Sequence, residues 1–175
     1  MTKIYQGKNA SKIYYYLISK FGYNAVQQGT FYEANNIRWV QHTDRIYLLK
    51  PELLDAVKSA VKFAKSLRTV LFDYYAERDA YTESLYEDGD YNLGDDDCDI
   101  ADDIANDNTN GTNKLIKWAQ KDFKELNLNL VEIDNSIYTN TKLTADQIDE
   151  LKDYFAEMWR MYFFSFFVIF LLNVI

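Results

Sequence analysis

The sequence predicts an α+β fold, mainly helical, with about four helices, a small antiparallel β-meander and an apolar C-terminal helix. Three observations carry this expectation. One Pro and six Gly among 175 residues leave few backbone breaks, so long regular elements are favoured. Apolar residues recur at three- and four-residue steps in several stretches, the spacing of a helix with one buried face. Between residues 30 and 49 that period gives way to strict alternation, the mark of half-buried strands.

Taken in order, the first helix is expected over residues 11–21, with Asn9 or Ser11 as N-cap and Gly22 ending it. Ile13, Tyr16, Leu17 and Phe21 make its inner side, and Lys12 and Lys20 its outer side. Residues 30–34, 37–41 and 45–49 then read as three short strands, joined by Asn35-Asn36 and by His42-Thr43-Asp44. Phe31, Ile37, Trp39, Tyr47 and Leu49 are expected on one face.

The stretch from Pro51 to about Arg78 reads as a long central helix. Pro51 suits a first helical position. Leu53, Ala56, Ala60, Phe63, Ala64, Leu67, Val70, Leu71 and Tyr74 fall on one arc, with Lys58, Lys62 and Lys65 opposite. A further helix is expected over residues 113–126, with Thr112 as N-cap. Leu115, Ala119, Phe123 and Leu126 point inward there, and Lys114, Lys117, Lys121 and Lys124 form a basic stripe. Residues 128–133 suggest a strand and residues 134–142 a polar connection. The last helix has a capping box in Thr144 and Gln147, and acids in its first turn, where the helix dipole favours negative charge. Its amphipathic stripe of Ile148, Leu151, Phe155 and Met158 gives way to residues 161–175, in which only Ser165 and Asn173 are polar.

Three segments are expected to make up one domain: residues 1–86, an acidic linker at 87–111, and residues 112–175 packed back on the first part. A chain of this length favours a single core with an appendage. The net charge of -8 conceals a segregation. Residues 1–72 hold eleven Lys or Arg against four acids, residues 73–107 one Arg against fourteen acids, and residues 108–175 seven bases against nine acids. A chain this bipolar is expected either to close on itself, the acidic segment lying over the basic face, or to present one of its poles to a partner.

The chemistry-bearing candidates are few. Asp95, Asp96, Asp97, Asp99, Asp102 and Asp103 crowd into nine residues and form the expected partner-binding site, a row of carboxylates that resembles a row of phosphates to a basic protein surface. A solubilising linker is the bland account of the same residues. Asp88, Asp90, Asn92 and Asp99 occupy the first, third, fifth and twelfth positions of a calcium-loop register, but Leu93 stands where that loop needs Gly, and Asp99 is shorter than the usual Glu. They are weak metal candidates, so neither a metal nor a cofactor is expected. A nucleic-acid reading would use Lys12, Lys20, Arg38, Trp39, Arg45 and the lysine stripe as contacts, yet no recognition motif accompanies them. The lone His42 has no second His to pair with and reads as a turn residue.

No phosphate loop, dinucleotide fingerprint, nucleophile elbow or paired metal spacing appears, so catalysis is not expected. The single Cys98 forms no internal disulfide, which suits a cytoplasmic or other reducing compartment, and residues 1–10 lack the apolar core of a secretory leader. The excess of Lys over Arg, with abundant Asn, Tyr and Ile, fits AT-rich coding and a viral or prophage accessory role. The primary expectation is therefore a small interaction factor binding a basic partner through its acidic run. The alternative is a tail-anchored structural component held in a membrane through residues 158–175, or an oligomer joined through the same apolar helix. Fifteen apolar helical residues reach only about 22 Å of a roughly 30 Å hydrocarbon core.

Overall fold

In the computed structural model, residues 1–87 and 108–174 are described. The chain divides into two compact units, Met1–Arg68 and Thr69–Ile175. Each carries one three-stranded antiparallel sheet with helices, so the α+β class holds, with five α-helices among the described residues.

The first unit runs β1 (Thr2–Gln6), α1 (Ala10–Phe21), β2 (Val26–Ala34), β3 (Ile37–Leu48), a 3-10 turn (Pro51–Leu53) and α2 (Leu54–Ser66). The sheet order is β1-β3-β2. Gly22 ends α1 at φ 85°, in the left-handed region that suits Gly, and its N–H donates to the Ile18 carbonyl at 2.9 Å. Ile13, Tyr16 and Leu17 of α1, Val26, Ile46 and Leu48 of the sheet, Val57, Val61 and Ala64 of α2, and Leu67 are all buried. Burial of these side chains is the main stabilising term of the unit.

The second unit runs β4 (Thr69–Asp73), α3 (Tyr74–Glu87), α4 (Asn108–Asp122), a 3-10 turn (Lys124–Leu126), β5 (Leu130–Ile133), β6 (Ser136–Thr139) and α5 (Ala145–Val174). Its sheet order is β4-β6-β5. Leu71, Phe72, Leu115, Ala119, Ile137, Leu151, Phe155 and Trp159 share one core, with the Phe72 ring 6.4 Å from Phe155 and 6.3 Å from Trp159. The capping box of α5 is formed as expected. The Gln147 N–H donates to Thr144 Oγ1 at 3.2 Å, and the Thr144 N–H donates to Gln147 Oε1 at 2.9 Å.

Several expectations are corrected. The long central helix is broken: α2 stops at Ser66, β4 pairs with β6, and α3 begins afresh at Tyr74. Asp73 supplies the new start, its Oδ1 accepting from the N–H groups of Tyr75 and Ala76 at 3.1 and 3.3 Å. The β-branched pair Thr69-Val70 favours the strand, and Leu67, Leu71 and Tyr74 are buried from three different local structures rather than from one arc. The strands expected at 37–41 and 45–49 are one strand, β3, with His42 at φ 56° inside it. The third strand of that sheet is β1, which the polar start of the chain conceals. The polar connection at 134–142 contains β6, reached through Asp134-Asn135 at φ 49° and 60°. Asn35-Asn36 at φ 52° and 63° makes the same primed turn in the first unit. Thr112 lies inside α4, 1% exposed, not at its N-cap. Among the described residues no helix is long and apolar enough to cross a membrane.

Candidate functional site: an exposed β-ribbon and an acid-walled cleft

The six aspartates of the expected partner site, Asp95, Asp96, Asp97, Asp99, Asp102 and Asp103, lie outside the described residues, as do Asp88, Asp90 and Asn92 of the calcium-like register. Among the described residues no group of three or more His, Cys, Asp or Glu is placed to hold a metal ion. Two surfaces do stand out, one in each unit.

In the first unit β1 pairs with β3 only from Arg45 to Leu48, whereas β2 pairs with β3 as far as Ala34 and Ile37. Residues 30–41 therefore form a two-stranded ribbon beyond the sheet. Two strands alone are marginal in water, so the ribbon depends on its own cross-strand pairs and its root. At the root, four residues of β3 oppose Gly29 alone, and Gly29 adopts φ 76°. A Cβ there would lie 2.6 Å from Val40 Cγ1 and 2.8 Å from the Gln41 carbonyl oxygen, so the close approach needs Gly. The root is pinned from outside the ladder as well. Gln28 Nε2 donates to the Thr43 carbonyl at 2.7 Å and to Ser11 Oγ at 2.9 Å, and the Gly7 N–H donates to the Asp44 carbonyl at 2.8 Å.

Opposed residues of an antiparallel pair share a face. The pairs Thr30–Gln41, Tyr32–Trp39 and Ala34–Ile37 therefore make one uncharged face, on which the Tyr32 and Trp39 rings stack at 5.8 Å. The pairs Phe31–Val40 and Glu33–Arg38 make the other, the latter an ion pair at 3.2 Å. Phe31 and Ile37 are thus on opposite faces, not on one as the alternation suggested. Neither face is covered: Phe31 is 64%, Ile37 65% and Trp39 38% exposed. The exposure is clustered, unlike that of a scattered surface Leu.

The basic candidates are largely engaged. Lys12 Nζ donates to the Leu67 carbonyl at 2.7 Å, and burial pushes its pKa below the ordinary lysine value. Lys20 Nζ sits 5.2 Å from the centre of the Tyr16 ring, Arg38 is held by Glu33, and Arg45 lies 3.9 Å from Asp44. Lys58, Lys62 and Lys65 are exposed along α2, as their spacing predicted.

In the second unit, α3 and α5 border an open cleft of about 690 Å³, lined by Glu77, Asp153, Ala156, Glu157, Arg160 and Met161. Asp153, Glu157 and Arg160 follow one another at helical spacing on α5, and Glu77 comes from the first turn of α3. Three carboxylates face one guanidinium. Glu77 Oε2 is buried and accepts no hydrogen bond, with Arg160 Nη2 at 3.5 Å as its ion-pair partner. Sequence reasoning missed this cleft because its acids come from two helices that only the fold brings together.

No protein-family model, no curated protein and no solved structure matches the chain.

Proposed function

We propose that the protein is a small interaction factor that binds a basic partner through the acidic face of residues 69–175, without catalysing a reaction. The observation that carries this reading is the acid-walled cleft, where Glu77, Asp153 and Glu157 outnumber Arg160 and the contact of Glu77 Oε2 with Arg160 is a long 3.5 Å ion pair. A lysine or arginine side chain from a partner adds a donor to these carboxylates, and the charge-assisted bond it forms is stronger than a neutral one. The charge of this part of the chain supports the same partner class: residues 69–175 hold twenty-three acids against eight bases, the six aspartates between 95 and 103 among them. Attraction of this kind steers encounter and weakens as salt shortens the Debye length from about 10 Å at 0.1 M to about 3 Å at 1 M.

The test is titration of the full chain with a fluorescent oligo-lysine peptide at low and high salt. Wild type is expected to bind with a steep salt dependence. The triple variant Glu77→Gln, Asp153→Asn, Glu157→Gln, and separately the six aspartates changed to Asn, are each expected to weaken binding by roughly tenfold. Equal affinity and equal salt slope in all three proteins would overturn the reading.

A further inference from the structure

We infer that the uncharged face of the β-ribbon docks on an anionic lipid surface, with the exposed lysines of the first unit as its electrostatic counterpart. The inference goes beyond the binding of a basic partner, since it uses other residues and an opposite charge. The face made by Thr30, Tyr32, Ala34, Ile37, Trp39 and Gln41 holds no charge, so it enters an interfacial layer without stripping water from an ion. Trp and Tyr are the residues that favour the boundary between headgroups and acyl chains, because each joins an apolar ring to a polar handle. Ile37, more exposed than either ring, adds an aliphatic contact beside them.

Charge selects the kind of surface. The unit Met1–Arg68 carries eleven bases against four acids, and two of those acids, Glu33 and Asp44, already pair with Arg38 and Arg45. Lys58, Lys62 and Lys65 remain solvent-facing along α2. Interfacial binding grows with apolar area and with attraction between such lysines and anionic headgroups. The same surplus repels a second copy of this unit. Nucleic acid would meet the same lysines, but stacked bases would set their phosphates along the ribbon, where the one base, Arg38, already pairs with Glu33. A protein groove would have to enclose Phe31, Val40 and the Glu33–Arg38 pair on the far face as well, whereas a planar interface takes the uncharged face alone.

The experiment is sedimentation of the full chain with vesicles of phosphatidylcholine alone and of phosphatidylcholine mixed with phosphatidylserine. Binding is expected to the mixed vesicles and to be at least roughly tenfold weaker on the neutral ones. The double variant Ile37→Ser, Trp39→Ser removes the apolar contact, and Lys58→Glu, Lys62→Glu, Lys65→Glu the electrostatic one; each is expected to lower partitioning by roughly tenfold or more. The three lysines are exposed, so circular dichroism of that variant should match wild type, and the ribbon variant leaves the charge unchanged, so its oligo-lysine binding should match wild type. A second readout is quenching of tryptophan emission by brominated lipid, in which the difference between wild type and Trp39→Phe reports on Trp39 alone. Three results would each overturn the inference: no binding to either vesicle, equal binding of the ribbon variant and wild type, or no quenching of Trp39. A ribbon-dependent dimer or single-stranded DNA complex, found without vesicle binding, would overturn it in favour of those occupants.

Discussion

Replacing Gly29 by Ala tests the root on which the ribbon is built. Gly29 sits at φ 76°, a region that costs an L-residue with a side chain about 1–2 kcal/mol. The added Cβ would also meet Val40 Cγ1 at 2.6 Å and the Gln41 carbonyl oxygen at 2.8 Å. The first neighbour ends a side chain and can turn away. The second is backbone, paired to Thr30, and can move only by disturbing the ladder. Overpacking of this kind adds about 1–3 kcal/mol, so the substitution is expected to destabilise by about 2–5 kcal/mol in total. Urea denaturation followed by circular dichroism measures it. The variant Val40→Ala separates the two contacts, since Val40 is 42% exposed and its own truncation should cost little. In the double variant the Val40 contact is gone and the backbone contact remains, so a coupling of about 0.5–1.5 kcal/mol is expected between the two sites. A cost below about 0.5 kcal/mol for Gly29→Ala, or no coupling with Val40→Ala, would refute the close approach at the root.

The remaining predictions concern the two cores, a cap and a turn. Leu67 is fully buried, so Leu67→Ala should cost about 2–5 kcal/mol, whereas half-buried Phe63, whose ring lies 5.7 Å from that of Tyr16, should lose clearly less on truncation to Ala than the roughly 3–5 kcal/mol of a fully buried Phe. Thr144→Ala removes the acceptor of the Gln147 N–H and should destabilise by about 1 kcal/mol in thermal or urea melts. Asp134→Asn should raise the melting temperature near neutral pH. Burial, and then the Asp73 carboxylate, push the Asp134 pKa above its ordinary 3.8. The charged form is therefore penalised in the folded state. That penalty is complete above the raised folded value and disappears as pH falls to 3.8, so the benefit of Asn should vanish over the same window. Asn also tolerates the φ of 49° at this turn.

What the chain declares about itself is local. Gly22 as the end of α1, the Asn35-Asn36 turn, the Thr144–Gln147 box, the inward Leu115 and Ala119, and the exposed lysine stripes all follow from neighbours in sequence, and the structure contains each of them. Even the break at β4 has local signals in Thr69-Val70 and the Asp73 cap, but the apolar spacing from Pro51 to Tyr74 imitates a helix strongly enough to hide them. Strand pairing decided the rest. Residues 2–6 become β1 only because β3 offers Arg45 to Leu48 as partners, and residues 136–139 become β6 only between β4 and β5. Alternation marked 30–41 as strand, yet not that the two strands run past the edge of their sheet with both faces open; that depends on where the third strand stops. The acidic charge of residues 69–175 is countable in the sequence. The gathering of Glu77 with Asp153 and Glu157, seventy-six and eighty positions further along the chain, is not, because helix packing carries no trace in the spacing of charges.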